Sequence, residues 1–96
     1  MNECLGKALG HAQRTREHVY VVVPDDNWPE ALREAAPLLY RRATCSGRTW
    51  HFPDAGGRVS VVPVSEEPPA HPFTLALCVW AGDVAKWRAA AAKVAP

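Results

Sequence analysis

The sequence predicts a small α/β (α+β) domain: a two-layer sandwich with about four strands in a mixed sheet and two helices. Three observations carry this. "HVYVVVP", residues 18–24, is β-branched or aromatic from Val19 to Val23 and apolar on both faces, the mark of an interior strand. Two stretches of helical periodicity follow strand-like runs. A glycine-rich turn, "PDAGG", separates two short strand-like arms, as in a hairpin.

The elements follow in order. Residues 1–17 hold a short or frayed helix over 4–13, because Leu5, Ala8, Leu9 and Ala12 fall on one helical face. Gly6 and Gly10 weaken it by about 1 kcal/mol each. Pro24 ends the first strand. In "DDNWPEALREAAPLLYRRA", Asn27 and Glu30 fit a capping box and Pro29 stands in the first turn. Trp28, Ala31, Leu32, Ala35, Leu39 and Ala43 make its apolar stripe, and Pro37 kinks it. Arg48–Phe52 and Arg58–Val62 are the hairpin arms, with Pro63 placing the second near a sheet edge. "SEEPPAHP" is an exposed loop, and "FTLALCVW" is an apolar strand. Gly82 turns the chain, Asp83 caps, and a last helix turns Val84, Trp87, Ala91 and Val94 inward. The order is (α)-β-α-β-β-β-α. A ferredoxin-like split β-α-β pattern needs one more strand, because on this reading the chain ends on a helix.

Ninety-six residues make one domain, 1–96, which buries about 60–65% of its extended surface. No apolar run approaches the roughly 18 residues of a membrane span, and the first residues lack a signal-peptide pattern. A cytoplasmic setting is expected. Cys4, Cys45 and Cys78 have no C-x-x-C spacing and read as reduced thiols. Eight arginines against three lysines, with many alanines, associate the chain with high-GC bacterial or phage coding.

The net charge of +1 argues against strong non-specific attraction to nucleic acid. Its distribution is uneven. Between residues 33 and 58, five arginines face Glu34 and Asp54, a local excess of three.

Individual motifs exclude several chemistries. Cys45 lacks the five-residue spacing to an arginine that an anion-binding cysteine loop uses, so it reads as an inert thiol. Asp25 and Asp26, with Glu66 or Glu67, suggest a metal-dependent nuclease or phosphohydrolase, but no lysine lies in residues 8–85 to assist. Turn and cap acids are the better reading. The four histidines match no zinc spacing, and "PDDNWP" has no glycine for a phosphate loop. No metal or cofactor is expected, and no catalytic residue.

What remains is arginine beside aromatics. Arg41, Arg42, Arg48, Trp50 and Arg58 form the expected partner-binding face, with Trp50 and Trp80 the surface tryptophans. The preferred function is a non-enzymatic protein-binding module, an inhibitor of a host complex in the phage reading, meeting an acidic protein surface. The alternative is nucleic-acid binding through phosphate contacts in the Arg41–Arg58 region. A homodimer is compatible with either.

Overall fold

The computed structural model describes residues 2–28, 30, 33, 44–46, 49–51, 57–77 and 81–94. Helix α1 runs Asn2–Arg14 and strand β1 His18–Val23, followed by a 3-10 turn at Asp25–Asn27. Strands β2 (Thr44–Ser46), β3 (Thr49–His51), β4 (Arg58–Pro63) and β5 (Thr74–Ala76) follow, then helix α2 (Ala85–Ala90) and strand β6 (Lys93–Val94). They form one mixed sheet in the order β2-β3-β4-β1-β5-β6. The small α+β fold expected from the sequence holds.

Strand β1 is interior, parallel to β4 on one side and to β5 on the other. The reason is the one read from its side chains. Val21 is 1% exposed, and Val19, Val22 and Val23 are fully buried. Residues alternate between the two faces of a strand. Val22 joins Val62, Leu75, Phe73 and Trp87 in one cluster, which α2 closes with its fully buried indole. Val19 lies opposite Val59 and Val21 opposite Val61 on the other face. Helix α1 meets β1 and β4 through Ala8 and Ala12. A Cβ on Gly57 would fall onto the Ala12 carbonyl, so only glycine lets β4 start so close to the end of α1.

Four expectations are corrected. Pro63 does not mark an edge: β4 lies between β3 and β1, and the proline is its last residue. The ladder ends there, so the missing N–H breaks nothing inside it. Two short strands were not foreseen. Thr44–Ser46, expected as a connection, pairs antiparallel with β3. The last helix stops at Ala91, which turns extended at φ −68° and ψ 139°. Lys93 and Val94 then pair parallel with β5, and Val94 is 44% exposed rather than inward. The chain therefore closes with a β5-α2-β6 unit. Gly82 has the positive φ, 84°, expected of the turn residue, and Asp83 accepts a hydrogen bond from the Ala85 N–H at 3.0 Å. Of the expected helix over 27–43, Asn27 closes the 3-10 turn and Trp28, Glu30 and Arg33 are helical; its other positions lie outside the described residues. The bend at Pro37 lies outside the described residues. No helix among the described residues is long and apolar enough to cross a membrane.

Candidate anion-binding cleft

The parallel register lines up the first residues of several strands. Arg58 of β4 stands opposite His18 of β1, and His51 of β3 stands opposite Arg58. Thr74 of β5 pairs with Val19 on one side and with Lys93 of β6 on the other. A row of basic and polar residues thus crosses the amino ends of the sheet, although its members lie up to 75 positions apart in the chain.

A cleft of about 570 Å³ opens beside this row. Arg16, Arg58 and Lys93 supply its cations, Glu17 its carboxylate, and His18, His71 and Phe73 its rings. Glu17 is already engaged. Its carboxylate pairs with Lys93 and with His11, and the Lys93 contact first, then His11, holds its pKa below the usual carboxylate range. Among the described residues, neither Arg16 nor Arg58 makes an ion pair. Both side chains are exposed.

The rings are locally ordered. His18 stacks on Tyr20 at 4.4 Å between centroids and on His71 at 5.1 Å, with only 16° between the two imidazole planes. Tyr20 continues the stack to Phe73 and Trp87. His71 is held at both nitrogens. Its Nδ1–H donates to the Pro72 carbonyl at 3.0 Å, and its Nε2 accepts from the Tyr20 hydroxyl at 3.3 Å. His18 Nε2 lies 2.7 Å from Ser60 Oγ, which in turn lies 2.8 Å from Thr49 Oγ1. Burial first, and then the charges of His71 and Arg58, push the His18 pKa down to about 4. His18 is therefore neutral near pH 7 and acts in the cleft as a hydrogen-bonding ring rather than as a cation.

Of the residues expected to bind a partner, Arg58 lines the cleft. Arg41, Arg42 and Arg48 lie outside the described residues, as does Trp80. Trp50 is not on the surface: it is 4% exposed. The register puts it opposite Val59, which stands opposite Val19, so its ring belongs to the apolar face of the sheet. Its Nε1 has no hydrogen-bond partner among the described residues. Arg58 faces His51 across the ladder.

Asp25 and Asp26 sit at the opposite end of β1 in the 3-10 turn. Asp25 accepts a hydrogen bond from the Ser65 N–H at 3.0 Å, which lowers its pKa. Among the described residues no three His, Cys, Asp or Glu side chains gather closely enough to hold a metal ion.

Sequence reading missed Arg16, Glu17, His18, His71 and Lys93 as one set. The available signal was a polar residue opening each of two strands that are otherwise apolar, His18 before Val19–Val23 and Arg58 before Val59–Val62. Compared with protein-family models, curated proteins and solved structures, the chain matches none.

Proposed function

We propose that this protein is a small non-enzymatic binding module that takes an anionic partner in the cleft at the amino ends of β1, β4, β5 and β6. One observation carries the reading. Two guanidinium groups, Arg16 and Arg58, border the same cleft with no ion pair to a carboxylate among the described residues, while the cleft's own acid is occupied by His11 and Lys93. Like charges held near one another do not help a fold, and an arginine fork matches carboxylate and phosphate groups. The excess of arginine in the middle of the chain, which Arg58 closes, supports the same sign of partner and suits an acidic protein surface. A cytoplasmic setting goes with this reading, since three cysteines without paired spacing suit a reducing compartment.

The test uses fluorescently labelled polyanions, a polyglutamate peptide and a single-stranded oligonucleotide, at low salt. The wild type binds at least one of them. Arg16→Glu with Arg58→Glu stays folded, because both side chains are exposed, and loses that binding. A folded double variant that binds as the wild type does removes the reading.

A further inference from the structure

We propose that the anion this cleft takes is a nucleoside phosphate, its phosphate held between Arg16 and Arg58 and its base laid on the ring of His71. This rests on the cleft being an anion-recognition site and names the class of anion.

The cations alone do not choose between carboxylate and phosphate. The rings do. An acidic peptide needs positive charge and little else. Here the charge borders a stack of three near neighbours, Tyr20, His18 and His71, whose outermost member is exposed. Bases stack on histidine and tyrosine rings as they do on other aromatic side chains. The His71 ring is set in place before any ligand arrives, because Pro72 and Tyr20 hold its two nitrogens. Preorganised rings lose little freedom on binding. His18 supports the stack in its neutral form, so the ring beneath His71 adds no third charge beside Arg58. Its Nε2 is held by the buried Ser60 hydroxyl, which pairs in turn with Thr49 Oγ1, so the ring beneath His71 is fixed from inside the sheet.

Size agrees. About 570 Å³ lies within the roughly 300–1,000 Å³ of small-ligand sites and exceeds what one carboxylate side chain fills. The nucleoside phosphate arrives either free or as one unit of a single strand, and the two sources share this chemistry.

The experiment is calorimetric titration of the intact chain with four probes: adenosine monophosphate, a short single strand of thymidines, inorganic phosphate and a polyglutamate peptide. Adenosine monophosphate or the single strand is expected to bind more tightly than inorganic phosphate and the peptide. The tighter of those two identifies the source. His71→Ala should weaken that binding about tenfold, the scale of one lost base stack, and leave phosphate binding unchanged. His71→Phe, which keeps a flat ring, should restore most of it. Nucleotide binding that is no tighter than inorganic phosphate, or that ignores His71→Ala, overturns the proposal. Arginine-dependent binding of the peptide alone overturns it too, while leaving the cleft an anion site. Failure of all four probes removes both readings.

Discussion

The two ends of the parallel strands are built differently. At the carboxyl ends, polar groups are tied to one another. Asp25 accepts from the Ser65 N–H, Lys86 donates to the Ser65 carbonyl at 3.2 Å and approaches Glu67 at 3.4 Å, and the Trp87 indole donates to the Val64 carbonyl at 3.1 Å. At the amino ends, Glu17 ties α1 to β6 through His11 and Lys93, but Arg16 and Arg58 make no ion pair among the described residues beside the cleft. The strands are the same and the apolar middle is continuous. One end therefore ties its polar groups into the fold, and the other presents charge that no described carboxylate pairs. Ligands in open α/β sheets usually collect outside the carboxyl ends. Here α2 packs its indole against that side of the strands, and the open cleft lies at the other end.

The largest effect belongs to what both ends share. Val21→Asp places an unpaired carboxylate in the interior strand, at a cost of several kcal/mol, and should abolish the cooperative urea transition. A folded Val21→Asp protein would contradict the interior position of β1. Trp87→Ala empties the core beneath the carboxyl ends and should cost about 3–5 kcal/mol in chemical denaturation. Because Trp87 also closes the ring stack under Tyr20, weaker nucleotide binding should accompany it. Gly57→Ala tests the amino end. The new methyl meets the α1 backbone, not a flexible side chain, so a loss of about 1–3 kcal/mol is expected. An unchanged midpoint would show that α1 is free to move away from β4.

A pH series sharpens the comparison further. The folded pKa of His18 lies near 4, below its ordinary 6.5, so the unfolded chain binds more protons between these values. Stability then rises with pH across that window, and it falls as pH drops from 6.5 toward 4. One histidine sets a slope of at most about 1.4 kcal/mol per pH unit. Glu17 and Asp25, both lowered below their ordinary values near 4, act in the same sense at the more acidic end. His18→Gln should remove the slope above pH 5 and leave the acid limb. The smallest effect is expected from Arg16→Gln with Arg58→Gln, within about 0.5 kcal/mol of wild type in thermal unfolding, since exposed unpaired charges contribute little.

Much of the fold was legible because its signals are local. The unbroken apolar run of β1, the antiparallel pairing of β3 with β4 and the positive-φ glycine at 82 each follow from a few adjacent residues. The missed strands had no such signal. Thr44–Ser46 is too short to alternate, and "AAAKVA" reads as helix until the pairing of Lys93 and Val94 with β5 overrides its propensity. Trp50 was misplaced for a different reason. Strand period says which positions share a face, but period alone does not say whether the face that holds Trp50 is inner or outer. The register with Val59 decides it. The cleft was the least legible feature. Its residues come from the connection after α1, four strand starts and the loop before β5, and only parallel pairing across 40 residues brings His18 beside Arg58.

The most direct test is a proton NMR titration of the His18 imidazole, with and without saturating adenosine monophosphate. In the free protein His18 should titrate near pH 4, and a phosphate seated between Arg16 and Arg58 should raise that value, because a nearby anion favours the protonated ring. The gain in affinity from His18 should appear as pH falls from that raised value toward 4. A His18 titration that the nucleotide leaves unmoved, at concentrations where binding is complete, would contradict the placement of the anion in this cleft.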